Sequence, residues 1–460
     1  MAMTAIFATT AWAGGLMTNT NYHIAFDRMM ARGASFDIDA TFSNPAGLVW
    51  GHEGWQVSLN FQKPWQYRDI ELTANNKSTL YEGKASAPIV PALFASYKKD
   101  KWAVSAMLGI VGSGGFVEYK DGVPMFNALL GNTITTLTQG LNTATKGFAP
   151  VVSPDQFDSS MKGKQYIYGG QVNFSYKITD CFAAAVGMRV NYYDGYYRGH
   201  VKANHSTIGN LASLSLDVDQ KGWGFTPIVS LAFHKGPLTL TARYEFRTKI
   251  NTKNETNSLS ATLNSPELIE KPLVQLVQAN VIPAEQAAAM AANIKNQVEQ
   301  GLAIHTAPYE DGAHTRYDMP ALLSVAAGYE FTPKLRATVE YHFFDDKNAK
   351  MANDRQEKLT HGTHEILAGI EYDINDKFTI SCGGQRTDYG LSDEYQQNTS
   401  FACDSYSIGL GGAWNITEKV RLNAGYFISL YSDYKKQTDY GLETYSRTNN
   451  VIGIGVDYKF

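Results

Sequence analysis

The sequence predicts an all-β chain that crosses a membrane as an antiparallel barrel of about fourteen strands. Apolar and polar residues alternate with a period of two in segment after segment from residue 54 to the C-terminus. Short and long connections between these segments follow each other in strict alternation. The chain is also poor in charged residues and rich in aromatic ones. Together these three observations favour a membrane barrel over a soluble β-protein.

Composition excludes several classes of protein. Charged residues make up 18% of the chain and aromatic residues 12%, whereas soluble domains carry roughly 25% charged residues. The net charge is -4 and no dense run of Lys or Arg is present, so nucleic acid is not an expected partner. The mean hydropathy of -0.27 and the lack of a run of about 18 apolar residues exclude a helical membrane span. A barrel strand alternates between lipid and lumen and therefore averages to such a value.

The alternation is clear in the first predicted strand, where Trp55, Leu59 and Phe61 alternate with Gln56 and Asn60. Such a segment has one apolar and one polar face. An even number of such strands closes an antiparallel barrel. The predicted strands are 54–63, 89–97, 102–119, 164–178, 181–199, 220–234, 237–250, 318–332, 334–345, 363–374, 376–389, 402–416, 418–433 and 449–460.

The connections favour a membrane barrel more strongly than the strands do. Tight turns carrying turn formers or charges are predicted at 98–101, 179–180, 235–236, 332–333, 375–376 and 417–418. Longer polar loops are predicted at 64–88, 120–163, 200–219, 251–317, 346–362, 390–401 and 434–448. Outer-membrane barrels have short periplasmic turns and long external loops. A soluble sandwich or propeller gives no reason for one end to hold every long loop.

The two phases of the strands differ in kind. Aromatic residues such as Trp102, Phe233 and Trp414 lie in the apolar phase near the short turns, as in the interfacial girdle of a barrel. Arg189 and Glu371 are examples of charged residues in the opposite phase. Charges of both signs there predict a network inside the lumen, because charges facing lipid are costly.

The N-terminus resembles the end of a secretory signal, which would make residues 1–13 a signal-peptide remnant. Ala11-Trp12-Ala13 has the A-x-A form that precedes a cleavage site, although the basic region is missing. Export would place Cys181, Cys382 and Cys403 in an oxidising compartment. Their odd number and wide spacing indicate free packing residues, and the apolar phase of Cys382 predicts its burial.

Two long loops carry helical rather than strand periodicity. Within 251–317, Ser265-Pro266 and Pro283 look like helix starts, and 120–163 has an apolar face at helical spacing. These helices either only pack on the barrel mouth or form an apolar groove that captures ligand. The candidate ligand-binding residues are Phe126, Leu130, Leu137, Leu273, Leu276 and Val277.

The segment before the first strand carries a family resemblance. It contains Gly14-Gly15-Leu16-Met17, Arg28, Gly33 and the run Ser43-Asn44-Pro45-Ala46-Gly47-Leu48. This segment resembles the N-terminal hatch of the outer-membrane long-chain fatty-acid transporter family (FadL/TodX). Asn44-Pro45-Ala46 of this chain matches the hatch motif of that family. The resemblance implies a hatch over 14–50 that plugs a barrel over 51–460. Leu16, Met17, Arg28, Asn44, Pro45 and Ala46 are the implied hatch residues.

In that family a kink in the third strand opens the wall sideways, and the matching strand here is 102–119. This strand carries a glycine cluster, and glycine tolerates the irregular backbone that a break in the ladder needs. An ordinary bulge near the rim is the alternative. The implied lateral-gate residues are Gly109, Gly112, Gly114, Gly115 and Phe116.

The resemblance implies a bacterial outer-membrane channel that captures hydrophobic small molecules, long-chain fatty acids above all, at its external loops and releases them laterally into the membrane. We expect a monomer without cofactor or metal, in contact with membrane lipid. Terminal Phe460 resembles the signal read by the barrel-assembly machinery. A shuttle or barrel component of protein secretion is the alternative, because some relatives of the family serve secreted proteins. An enzyme is not expected, because no G-x-S-x-G motif is present and the loop histidines lack metal spacing.

Overall fold

The strands of the molecule form one closed antiparallel sheet. The computed structural model describes residues 14–460, so the predicted signal remnant 1–13 lies outside the described residues. The sheet comprises β1 (Gly54–Ala74), β2 (Lys77–Tyr81), β3 (Gly83–Ser86), β4 (Val90–Lys99), β5 (Trp102–Tyr119), β6 (Gln156–Lys177), β7 (Phe182–His205), β8 (Gly209–Lys235), β9 (Leu238–Glu245), β10 (Asn251–Leu263), β11 (His314–Arg316), β12 (Leu322–Thr332), β13 (Leu335–Phe344), β14 (Thr363–Asp373), β15 (Phe378–Asp388), β16 (Ser405–Asn415), β17 (Val420–Tyr431), β18 (Tyr434–Thr438) and β19 (Gly441–Lys459).

These segments make a closed barrel of 14 strands over the described residues, as predicted. The segments β2 to β4 follow one another as the second strand, β9 and β10 form the seventh, β11 and β12 the eighth, and β17 and β18 the thirteenth. The first and last strands close the ring, with Gln56 opposite Lys459 and Thr73 opposite Leu442. Pairing of the first strand with the last closes the sheet into a ring, as a membrane barrel requires.

The helices lie inside the barrel and at its external end. They are α1 (Ile24–Met29), α2 (Ala40–Ser43), α3 (Pro124–Ala144), α4 (Lys271–Gln278) and α5 (Ala284–Thr306), with a π-helical turn at Pro266–Glu270 and 3-10 turns at Pro45–Trp50, Ala307–Tyr309, Asp346–Asn348 and Ala352–Lys358. The π-helical turn gives way to α4 at Lys271, next to Pro272. No helix in the described chain is both long and apolar enough to span a bilayer.

The external hairpins are longer than the sequence predicts. The expected loop 64–88 is wrong, because β1 continues to Ala74, turns at Asn75-Asn76 and returns through β2 and β3. Likewise 200–219 and 434–448 are largely strand. Beyond the bilayer a strand no longer needs an apolar face, so its alternation fades while its ladder hydrogen bonds continue.

The apolar phase faces outward and the polar phase faces the lumen. Leu59 and Phe61 are 43% and 41% exposed, whereas Asn60 between them is fully buried. The predicted burial of Cys382 is therefore wrong, because its apolar phase points to the outer surface and the residue is exposed. Trp414 and Phe378 stack at the short-turn end with ring centroids 6.0 Å apart, as a girdle would.

Candidate functional site

The N-terminal segment 14–50, called the plug below, lies inside the barrel. Its Asn44-Pro45-Ala46 motif lies against the inner wall. The Asn44 side chain accepts a hydrogen bond from the Gly47 N–H at 3.2 Å and donates one to the Ser35 carbonyl at 3.1 Å. Pro45 begins the 3-10 turn, where its missing N–H costs nothing. The Ser175 hydroxyl of β6 donates to the Pro45 carbonyl at 2.7 Å. The motif thus builds a rigid turn and joins it to the inner wall.

A charged cluster on β13 and β14 holds the middle of this segment. Arg28 is 1% exposed and pairs with Glu371, and it donates to the Ser381 hydroxyl at 2.8 Å. Arg336 pairs with the same carboxylate, and the Arg32 guanidinium approaches it to 3.9 Å. A buried charge is tolerated only when it is paired in this way, so Glu371 ties the plug to the wall electrostatically.

Glu340 on β13 makes a second attachment, to the backbone of the plug. Its carboxylate accepts hydrogen bonds from the backbone N–H groups of Arg32 and Gly33 at 3.0 and 2.9 Å. His342 bridges Glu340 at 2.8 Å and Glu365 at 2.9 Å. The predicted lumenal network of both charge signs is therefore present, and it binds the plug.

Small residues of the wall allow α1 to lie against the sheet. A Cβ placed on Gly425 of β17 would lie 3.0 Å from the Asp27 Cβ, and one on Gly453 of β19 would lie 2.8 Å from its carboxylate. Larger residues at these positions would therefore push α1 away.

The tip of the plug reaches the external loops. Leu16 and Met17 are buried in one apolar cluster with Met351, Leu359 and Tyr389 of those loops. The Tyr389 hydroxyl also donates to the Gly14 carbonyl at 3.4 Å. Movement of the external loops would therefore displace the tip directly.

Asp346 joins the same tip to the external end of β14. Its carboxyl accepts hydrogen bonds from the backbone N–H groups of Thr363, at 3.2 Å, and of Leu16. Burial raises the pKa of the Asp346 carboxyl from 3.8 to about 7. The buried contact therefore favours the protonated acid.

This raised pKa predicts that the tip is held more firmly in acid. A group with a raised pKa takes up a proton when its contact forms. The contribution of Asp346 to the stability of the docked tip is therefore complete below about pH 4 and is lost as the pH rises towards 7. Hydrogen-exchange protection of residues 14–18 should fall by about one and a half decades between pH 5 and pH 7 after correction for intrinsic exchange. In Asp346→Asn the protection should be flat over this range. Equal pH dependence in both proteins would contradict the role of Asp346.

The wall has a gap between the second and third strands. The ladder between β4 and β5 ends at Leu93 opposite Leu108, and β3 and β5 resume pairing at Ser86 opposite Phe116. Residues 109–115 have no partner on the second strand among the described pairings. On the other side β5 stays paired with β6, with register shifts that leave Val111 and Gly114 as extra residues. β5 is thus continuous, but its hydrogen-bond ladder is open on the side of the second strand.

The plug supplies the hydrogen bonds that the second strand does not. The backbone N–H of Asn19 donates to the Val111 carbonyl at 3.0 Å, and its side chain donates to the Ile110 carbonyl at 3.1 Å. The Tyr22 hydroxyl donates to the Val111 carbonyl at 3.2 Å. Buried carbonyl groups need such partners, so the plug closes the gap from inside.

An apolar depression lies outside the same gap. It has a volume of about 760 Å³. Among its lining residues, Leu108 and Trp223 are 57% and 62% exposed on the outer surface. Its lining also includes Pro88, Ile89, Pro91, Gly109, Ile110, Tyr166, Tyr168 and Tyr192. An apolar surface therefore meets the gap from the membrane side.

Of the candidate gate residues, the glycines lie at the gap and Phe116 lies at its external edge. Gly109 is the first residue past the ladder, Gly112 follows the first register shift and Gly115 the second. Sequence reasoning missed Asn19, Tyr22 and Val111. Pro88 and Pro91 were a usable signal, because proline cannot donate to a ladder and marks breaks in strands.

Five of the six candidate capture residues belong to one apolar cluster, to which α3, α4 and α5 contribute. Leu273 and Leu276 are 2% and 4% exposed there, beside Ile134 and Leu141 of α3. Leu130, Leu137 and Val277 pack against the same cluster. Phe126 is separate from them, because it packs on a second cluster that contains Tyr119, Phe401 and Tyr445.

Comparison with known proteins agrees with this geometry. The model of the outer membrane protein β-barrel domain family matches residues 280–460. A FadL homologue from Pseudomonas aeruginosa superposes with a TM-score of 0.62 at 13% identity, over 96% of this chain and 98% of that one. The toluene transporter TodX of Pseudomonas putida gives 0.55 at 13% identity, over 95% and 97%. The toluene transporter TbuX of Ralstonia pickettii gives 0.52 at 12% identity, over 92% and 94%. The chain has the FadL fold.

The FadL fold and the outer-membrane barrel model place this chain in the bacterial outer membrane. Solved structures with this fold include the toluene transporters TodX and TbuX and the monoaromatic hydrocarbon channel CymD. No curated protein sequence gives a significant match. The likeness is one of fold, and the ligand must be argued from the residues.

Proposed function

We propose that this FadL-like barrel is an outer-membrane channel that takes up hydrophobic small molecules, long-chain fatty acids above all, and releases them sideways into the membrane. The observation that carries the proposal is the gap at 109–115, where the Ile110 and Val111 carbonyls accept hydrogen bonds from Asn19 and Tyr22 of the plug. A fixed structural plug would not need a break in the wall behind it.

The proposed route runs from the external loops through the plug tip to the gap. Ligand enters among the apolar residues of α3 and α4, which include Leu273 and Leu276. It then displaces the tip at Leu16 and Met17, and a shifted plug releases the carbonyls of the gap. The outer depression offers apolar surface to the departing molecule. Sideways release is favourable because the apolar chain passes into hydrocarbon without entering water.

Phe460 and the outer surface of the barrel provide contacts with other components of the outer membrane. Phe460 is 62% exposed and its N–H donates to the Trp55 carbonyl at 3.0 Å. We assign it to recognition by the barrel-assembly machinery, and the exposed apolar phase to membrane lipid. The channel would work as a monomer, because each barrel holds a complete route.

A disulfide across the gap tests lateral release. A Cβ built on Gly109 lies 3.6 Å from the Ala92 Cβ, within the range of disulfides. In a background free of the native cysteines, Ala92→Cys with Gly109→Cys should cut uptake of radiolabelled fatty acid at least about tenfold when oxidised, because the strands can no longer part. Reduction should restore uptake.

The matched control is Ala95→Cys with Ala106→Cys. These residues face each other where the same two strands are already paired, so a disulfide there should leave uptake unchanged. Heat-modifiable gel mobility checks assembly of each variant. Full uptake through the oxidised Ala92→Cys, Gly109→Cys barrel would remove the lateral route. A protein-secretion role would instead leave wild-type fatty-acid uptake at the level of cells lacking the barrel.

A further inference from the structure

A strip of basic side chains lies on the outer face of the barrel, where β9 passes into β10. Over residues 247–253 the side chains of Thr248, Ile250 and Thr252 point inward and are fully buried. The alternate residues point outward and are exposed. They are Arg247, Lys249, Asn251 and Lys253. The outward positions of this basic strip are therefore cationic or neutral, and none of them is acidic.

The basic strip begins at the external aromatic girdle. Tyr244 and Phe246 precede it on the same strand, with ring centroids 4.9 Å apart, and both are exposed. Trp223 and Phe225 of the neighbouring β8 are also exposed on the outer face. Aromatic rings gather at the edge of the apolar layer, and the lipid headgroups lie just beyond them. The basic strip is therefore at the depth of the headgroups of the outer leaflet.

Lys249 and Lys253 carry charges that the chain does not neutralise. Neither forms an ion pair with an acidic side chain of the described residues. Lys253 lies directly opposite Lys221 of β8, and like charges in this position repel each other. Lys221 pairs with Glu255 at 2.7 Å, so that carboxylate is already engaged. An anion from outside the chain would relieve the repulsion.

The other charged groups beside the basic strip leave its charge in place. Arg247 donates to the Asn348 carbonyl, which is an uncharged acceptor. On the opposite side, Arg316 faces Asn251 in the ladder and pairs with the buried Asp318 at 2.6 Å. This pair is neutral as a whole, so the basic strip keeps its positive charge.

We propose that the basic strip binds the phosphate groups of an anionic lipid in the outer leaflet, with the acyl chains of that lipid lying on the exposed aromatic residues beside it. Clusters of Lys and Arg at a membrane surface attract anionic headgroups, and their long side chains can reach from the wall to the phosphates. Lys249 and Lys253 are four residues apart, which is roughly 13 Å along an extended strand. They can therefore engage two phosphates at once. The inference goes beyond the proposed function, because it does not depend on what the channel carries.

Lipid binding to the purified full-length barrel in detergent tests the basic strip. Native mass spectrometry measures the affinity for lipid A with two phosphates, for lipid A with one phosphate and for zwitterionic phosphatidylethanolamine. The wild type should bind the diphosphorylated form about fivefold more tightly than the monophosphorylated form, because each basic residue near a charged membrane surface contributes about a factor of five. Lys249→Gln with Lys253→Gln should weaken binding of diphosphorylated lipid A about 25-fold and leave phosphatidylethanolamine binding unchanged.

Lys334→Gln with Lys419→Gln is the matched control. Both lysines are exposed on short turns at the opposite end of the barrel, so this variant loses the same charge away from the basic strip. It should bind diphosphorylated lipid A as the wild type does. Lys249→Arg with Lys253→Arg keeps the charge and should also retain the wild-type affinity. Heat-modifiable gel mobility checks assembly of every variant.

The possible outcomes separate a lipid site from general attraction by charge. Equal losses in the Lys249→Gln, Lys253→Gln barrel and in the control would show that net charge alone attracts the lipid, and the inference would be wrong. Wild-type binding of diphosphorylated lipid A no tighter than that of phosphatidylethanolamine would also overturn it. A loss confined to the variant of the basic strip, restored by arginine, supports the site. A failure of fatty-acid uptake would remove the proposed function and leave this result unchanged.

Discussion

Glu371→Gln should release the plug from the wall while the barrel stays assembled. The substitution leaves the buried Arg28 without its anionic partner and removes the charge that Arg336 and Arg32 also face. Breaking a buried pair costs about 3–5 kcal/mol, which is about two to three and a half decades in the docking equilibrium. Hydrogen-exchange protection of residues 24–33 should fall by that factor. Ion conductance in planar bilayers should rise, because a displaced plug leaves the lumen open to water.

Asp373→Asn is the matched control for this prediction. Asp373 lies two residues further along the same strand and pairs with Arg336 at 2.6 Å, but its side chain is 28% exposed. Its loss should change plug protection little, because partly exposed ion pairs contribute little. Equal effects of Asp373→Asn and Glu371→Gln would show that the plug is not held by the Arg28 pair.

A double replacement separates the charge from the packing. Arg28→Met with Glu371→Met should cost clearly less than the sum of the two single replacements, since neither charge is then left unpaired. Additive losses would mean that the two side chains do not interact in the folded protein.

The sequence was a good guide to the part of the fold that lies in the bilayer. There every second residue must be apolar, so Leu59 and Phe61 alternate visibly with the buried Asn60. Beyond the bilayer this demand ends. The chain from Trp65 to Ala74 is strand but was predicted as loop, because hydrogen bonds to β19 and β2 hold it without a regular pattern of side chains.

The site was only partly predictable for a related reason. The glycines of β5 marked an irregular backbone, and they do lie at the gap. The closing contact between Asn19 and Val111 joins residues that are far apart in the chain, so no local pattern could reveal it.

Leu273→Asp with Leu276→Asp should cut fatty-acid uptake strongly while leaving the barrel intact. Both side chains are buried where α4 meets α3, at 2% and 4% exposure. Burying one leucine contributes about 1.5–3 kcal/mol, so two carboxylates in their place should remove several kcal/mol from the contact between the loops. The apolar entrance would then be opened and made acidic, which disfavours both the alkyl chain and the carboxylate of an incoming acid.

Helix α4 also offers a control that carries the same added charge. Val274 is 53% exposed and Gln278 is exposed on the same helix. Val274→Asp with Gln278→Asp should therefore leave uptake near the wild-type level, because no buried contact is lost. Heat-modifiable mobility should be normal in both double variants, since neither touches the lipid-facing wall or the ladder that closes it. Wild-type uptake in a well-assembled Leu273→Asp, Leu276→Asp barrel would assign these helices to packing on the mouth and move ligand capture elsewhere in the external loops.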